Sequence, residues 1–204
     1  GLSIACSVLL IYPAIKVGVT ERSRLRDMTT SLSIRSETLE QAAVTDALTG
    51  LHNRRYFDDA LQEYLAAFAR IEKPIGMILL DLDHFKSVND TYGHNIGDEV
   101  LREVALCLKD FTRYHDVVAR LGGEEFAVLS PNITERQIFE LAERIRRAIA
   151  QIVVNAGGVS INVTVSAGIA IWDGNETGQA LYGRADKQLY VAKRNGRNQV
   201  CTAA

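Results

Sequence analysis

An excess of basic charge is missing from this sequence. Its 204 residues carry 23 Lys and Arg against 25 Asp and Glu, a formal net charge of −2. No global field therefore draws the chain toward nucleic acid or other polyanions. Any anionic ligand must be held locally, by a few basic side chains, metal ions or backbone amides. Cysteine is scarce too. Cys6, Cys107 and Cys201 are far apart, odd in number and form no CxxC. That argues against a disulfide framework or structural zinc site and for a reducing compartment. Familiar ligand motifs are absent: there is no GxxxxGK[ST] phosphate loop, and the four histidines show no HExxH spacing. A calcium loop starting at Asp81 fails as well, since Phe85 and Lys86 stand where an oxygen ligand and a glycine are needed. Internal repeats and low-complexity tracts are lacking. What is present, 47% apolar and 24% charged residues, suffices for one sizeable domain with an appendage.

No apolar run reaches the roughly 20 residues that a bilayer-spanning helix needs. Residues 1–21 are nevertheless strongly apolar up to Ile15, and Lys16, Arg22, Arg24 and Arg26 follow, the sign found on the cytoplasmic side of a membrane helix. Because the chain starts at Gly1 and not at Met, this segment is expected to be the inner end of a transmembrane helix that begins upstream. A signal peptide would carry its basic residues before the apolar stretch. Pro13 keeps a buried helix open as the other reading. In residues 22–46, Leu25, Met28, Leu32, Arg35, Leu39 and Ala42 are spaced 3, 4, 3, 4, 3, a coiled-coil seam with arginine at one core position. It is expected to be a connector helix pairing with its twin; a solitary amphipathic helix packed on the domain is the alternative.

Residues 47–204 read as the main domain. Gly50 and Asn53 are turn residues before a helix from Arg54 to Glu72, which ends ahead of Pro74. IGMILLDLD is a nearly continuous apolar run of strand length, as in a strand buried on both faces. A helix from Ile96 to Phe111 follows, then DVVARLGGEEFAVLS as strand, glycine turn and strand. Thr134 with Gln137 is a capping-box pattern opening a helix to Val153. VSINVTVSAGIAIW reads as one long strand, Gly178 to Arg194 as a helix and NQVCT as a final strand. The order implies an α/β fold, an α+β sandwich with a mixed central sheet flanked by helices.

Asp81 and Asp83 lie where the first core strand runs out, and period-2 geometry points them to the same side. Glu124 and Glu125 emerge from the Gly122-Gly123 turn. With the hairpin beside that strand, three or four carboxylates would converge, at a repulsive cost that divalent cations would relieve. Hard oxygen ligands favour Mg²⁺ or Mn²⁺, and Mg²⁺ keeps positions open for water and phosphates. A turn without Cβ atoms lets backbone approach a phosphate. Each feature alone has a plainer reading, a simple turn and solvated glutamates.

The block GGEEF resembles the signature of the GGDEF family, the diguanylate cyclases, and three further blocks lie in the family's order: DALTGLHNRR, DLDHFKSVNDTYGHNIGDEVL and AKRNGRN. The resemblance covers about Thr45 to Val200 and implies a palm-like nucleotidyl-cyclase fold. It implies Asp81, Glu124 and the Leu82 carbonyl as metal ligands, with Glu125 a further ligand or an aid in activating the attacking hydroxyl. Asn89 and Asp98 would bind guanine, with Leu101 lining that pocket. The amides of Phe85 and Lys86, together with Gly123, Lys193 and Arg197, would hold phosphates. Read plainly, Asn89 and Asp98 are turn and cap residues, and Lys193 and Arg197 a solvated helix end. Asp90 and His94 are expected to shape a loop. The implied reaction condenses two GTP into cyclic di-GMP and two pyrophosphates across a homodimer. Arg113 and Asp116 match the family's inhibitory RxxD site, which would bind the product. The catalytic domain would be cytoplasmic, anchored to the bacterial inner membrane through the N-terminal segment.

Overall fold

The computed structural model describes residues 28, 44–69, 73–172 and 174–203. The expected membrane segment 1–21 and nearly all of the connector 22–46 lie outside them. The compact unit begins at Val44. Among the described residues no helix is long and apolar enough to cross a membrane.

A six-stranded mixed sheet forms the centre, in the order β1-β3-β4-β2-β7-β8. Its strands are β1 (His52–Asn53), β2 (Ile75–Leu82), β3 (Val117–Gly122), β4 (Glu125–Pro131), β7 (Val165–Ile171) and β8 (Val200–Thr202). β2 is buried along its whole length, which is why its sequence shows no polar alternation. It pairs antiparallel with β4 on one side and β7 on the other. The edge pairs β1–β3 and β7–β8 are parallel.

Five helices among the described residues cover the two faces. Helix α1 (Arg54–Phe68) and helix α5 (Gly178–Arg194) bury Phe57, Leu61, Leu181 and Leu189 against Met77 and Leu79. Helix α3 (His94–Phe111) and helix α4 (Glu135–Ile149) bury Val100, Leu108, Ile138 and Ile145 against Ile78 and Leu80. Odd and even positions of β2 thus serve opposite layers, as a period of two requires. Both arms of the capping box at Thr134 and Gln137 are present.

Several boundaries differ from the sequence reading. α1 stops at Phe68, the last of its side chains to reach the core, and α4 at Ile149. The stretch after β2 is no loop: helix α2 (Phe85–Tyr92) occupies it, Asp90 is helical, and His94 opens α3. The long strand from Val159 to Trp172 is broken. Val159–Ile161 (β6) folds back on Val154–Ala156 (β5), and the Asn162 side chain donates to the Ile152 carbonyl at 2.9 Å, taking the chain out of register before β7.

Helix α5 lies so close to β7 that a Cβ on Gly168 would stand 2.1 Å from the Ala185 carbonyl oxygen and 2.2 Å from the Leu189 nitrogen. Both are backbone atoms and cannot swing aside. Gly168→Ala should therefore destabilise the domain by about 1–3 kcal/mol, read as a lower urea midpoint; an unchanged midpoint would show a looser helix–sheet contact.

Candidate active site

Register brings the first acidic residues together. In the β2–β4 ladder Asp81 stands directly opposite Glu125, and the Leu82 amide donates to the Glu124 carbonyl at 3.3 Å. Directly opposed residues share a face of the sheet. Asp81 is only 7% exposed, and its Oδ2 lies 2.7 Å from the Lys193 Nζ at the last turn of α5. Burial pushes the Asp81 carboxyl up; Lys193 pulls it down in part, Asp83 adds repulsion, and the net shift is upward. Glu124, half-buried in the turn, is likewise raised by burial and by the charge of Asp81, with Lys193 opposing. Two carboxylates that repel each other in a partly dry site thus share one ammonium. Their charge and hard oxygens fit a divalent cation, with the Leu82 carbonyl at the same strand end.

Three of the expected carboxylates meet, Glu124 feeling the charge of both Asp81 and Glu125, while the fourth has donors of its own. Asp83 is turned to structural work: its oxygens accept from Thr164 Oγ1 and Ser166 Oγ, both at 2.7 Å, and from the Asn198 amide at 3.0 Å. Those bonds tie the end of β2 to β7 and to the segment after α5. Glu125 is exposed. Among the described residues no group of three His, Cys, Asp or Glu side chains is gathered as a preformed metal cage.

The turn that presents Glu124 is fixed from behind. Gly123 has φ +53, open to glycine without strain, and nothing stands within 4 Å of where a Cβ would be. Its carbonyl accepts from Arg120 Nε at 2.9 Å and Nη2 at 2.7 Å, while Arg120 Nη1 meets the two Asp46 oxygens at 3.1 and 3.2 Å. Asp46 also accepts from the Thr49 amide and hydroxyl. Neither Asp46 nor Arg120 was given a role from the sequence, although Asp46 opens the block DALTGLHNRR and Arg120 lies just ahead of GGEEF.

Helices α2 and α3 form the second wall. Asn89 on α2 rests on Gly97 of α3, where a Cβ would come within 1.9 Å of its Oδ1. The bare Gly97 thus lets Asn89 pack on the residue before Asp98; Asn89 and Asp98 are both half-buried, and Leu101 is buried one turn on. Phe85 is buried at the start of α2 and Lys86 is exposed; first-turn amides of a helix have no acceptors within it and suit an anion. Arg197 is exposed beyond the end of α5 at φ +64, yet its charge reaches Asp81.

Arg113 and Asp116 lie apart, in the α3–β3 loop. The Arg113 amide donates to Asp116 Oδ2 at 2.7 Å, and the Asp116 amide returns to the Arg113 carbonyl at 3.0 Å. Both line a cavity of about 350 Å³ with Gly50, His52, Lys109 and Tyr114.

Comparison with known proteins points to one family. The family model described as diguanylate cyclase, GGDEF domain, matches residues 43–199. The response regulator PleD of Caulobacter vibrioides is 44% identical over 163 residues, covering 78% of this chain and 36% of PleD. The diguanylate cyclase DgcP of Pseudomonas aeruginosa is 43% identical over 164 residues, 80% of this chain and 24% of DgcP. This chain therefore spans well under half the length of either. The structure of the coiled coil and GGDEF domain of DgcB from Caulobacter crescentus, in complex with c-di-GMP, superposes with a TM-score of 0.81 at 36% identity, covering 89% of this chain and 98% of that one.

The Asp46–Arg120 pair gives the turn a pH dependence. Partial burial pushes the Asp46 carboxyl up, but hydrogen bonds from Thr49 and Arg120 outweigh it and hold the group below its usual range. A depressed carboxylate contributes stability above its unfolded value of about 3.9 and loses it as pH falls through the folded value. Asp46→Asn should be less stable than the parent near pH 6, with the gap closing below about pH 4. Denaturation curves across that range check this, and a gap independent of pH would contradict it.

Proposed function

The chain belongs to the diguanylate cyclase GGDEF-domain family, and from that premise we propose that it condenses two GTP into cyclic di-GMP and two pyrophosphates. The observation carrying this reading is the meeting of Asp81, Glu124 and Lys193 at one strand end, beside the helix pair bearing Asn89 and Asp98. Both glycines and both acidic residues of the signature, Gly122, Gly123, Glu124 and Glu125, are intact, which favours an enzyme over a module that only senses nucleotide.

Each domain binds one GTP. The Asp98 carboxylate accepts from guanine N1–H and the exocyclic amine, a donor pair adenine does not present, and Asn89 completes the base contact. Leu101 closes the apolar side. The Phe85 and Lys86 amides, Gly123, Lys193 and Arg197 take the phosphates. Asp81, the Leu82 carbonyl and Glu124 hold Mg²⁺ or Mn²⁺, which when bound makes the attacking hydroxyl more acidic and offsets charge at the α-phosphate. The 3′-hydroxyl of one nucleotide forms a bond to the α-phosphorus of the other, the bond to the β-phosphate oxygen breaks, and pyrophosphate leaves. Repeated in reverse sense, this closes the ring. Exposed Glu125 accepts the hydroxyl proton, and Lys193 stabilises charge growing on pyrophosphate.

One domain holds half a product, so the working unit is a homodimer, and the seam in residues 22–46 sets whether the halves meet. Residues 1–21 anchor it to the inner membrane, leaving the catalytic domain in the cytoplasm. Arg113 and Asp116 bind cyclic di-GMP as feedback inhibitor; the DgcB complex with c-di-GMP supports that ligand.

Incubation with GTP and Mg²⁺ should release cyclic di-GMP with two pyrophosphates per product; GTP binding without turnover would favour a sensor. Glu124→Ala should cut turnover more than about a hundredfold, beyond the 10–100-fold typical of outer-shell losses, with the fold unchanged by circular dichroism. Full activity would refute the metal assignment. Arg113→Ala should raise the half-inhibitory concentration of product at least about tenfold, the worth of a hydrogen bond to a charged group; an unchanged value would remove the inhibitory site.

A further inference from the structure

The Lys193–Asp81 contact joins two residues that the proposed reaction uses for different partners, one for phosphate and one for metal. At 2.7 Å it is a charge-assisted hydrogen bond, with the carboxylate side chain 10% exposed and the lysine 34%. Asp81 itself is fixed, since β4 and β7 flank it on both sides. Lys193 is not. It stands in the last turn of α5 on a flexible four-carbon stem, near the exposed Arg197. A divalent cation and the ammonium compete for the same carboxylate, and two cations at such separation repel strongly. The ammonium acts on Glu124 as well, so it opposes a second cation at either carboxylate. Asp83 shows the alternative: it is satisfied by two hydroxyls and an amide and requires no ammonium.

We propose that Lys193 is an exchangeable counterion, holding Asp81 until the terminal phosphates of a nucleotide draw the ammonium away, so that metal and nucleotide bind with positive coupling and bare metal binds poorly. The inference rests on the metal and phosphate assignments above. Coupling of this kind is reciprocal: whatever nucleotide adds to metal affinity, metal adds to nucleotide affinity. Lys193 would then be a phosphate ligand and also the group that keeps the site from filling with metal ahead of substrate.

The test titrates Mn²⁺ into the full chain, reading free ion by electron paramagnetic resonance, with and without a non-hydrolysable GTP analogue. Lys193→Gln should bind bare Mn²⁺ about three- to tenfold more tightly than the parent, on the scale of a partly exposed ion pair. The enhancement of Mn²⁺ affinity by the analogue should shrink in that variant. Lys193→Arg, which keeps the contact, should stay near the parent. Arg197→Gln removes an equal charge that acts on Asp81 only through its field and should shift bare Mn²⁺ affinity less than about twofold. The proposal is overturned if Lys193→Gln binds bare Mn²⁺ no more tightly than the parent, or if Arg197→Gln matches it. Should the parent fail to bind Mn²⁺ even with the analogue, the metal site itself falls, and this inference with it.

Discussion

The antiparallel register between β2 and β4 is the constraint on which the site depends. It sets Asp81 against Glu125 and leaves Glu124 in the turn beside them. A slip of one residue would send every side chain of the strand to the opposite face, and the carboxylate at position 81 would leave Lys193. The register is well protected. Hydrophobic residues of β2 serve two layers at once, so a slipped strand would misplace both.

Around that register the fold spends its polar interactions on holding loop edges still. Asp83 ties β2 to β7 and to the loop after α5, while Arg120 spans from Asp46 to the Gly123 carbonyl. Both act one residue or two from a proposed ligand, and neither needs to touch substrate. The arrangement is what electrostatic catalysis requires: charged groups fixed beforehand, at no cost of reorganisation during reaction. Asp46 also lies near the start of the compact unit.

Much of this was legible in the chain, because the strongest signals are local. An apolar run ending in Asp81, a hairpin around two glycines and a helix from Gly178 to Arg194 depend on neighbours in sequence. The misses have a common cause. Helix α2 has eight residues and one buried side chain, Phe85, too little for a helical period to show. Val159 to Val165 alternates as a strand should, but alternation does not name the partner, and β6 pairs with β5 instead of continuing. Asp83 was placed beside Asp81 by the same period, yet its three donors lie 81, 83 and 115 residues further on. The Arg120–Asp46 bridge, spanning 74 residues, was hidden for that reason.

The role of the four motif blocks came from family resemblance and not from spacing; alone, Asn89 and Asp98 look like turn and cap residues. In the structure Asn89 packs on Gly97, the chain neighbour of Asp98, and the guanine assignment is proposed on that placement. The most direct measurement is a crystal structure of the chain with Mg²⁺ and a non-hydrolysable GTP analogue. The account predicts guanine against Asn89 and Asp98, phosphates at the start of α2 and at Lys193, and the ion on Asp81 and Glu124. A purine bound elsewhere, or an ion held without either carboxylate, would contradict it.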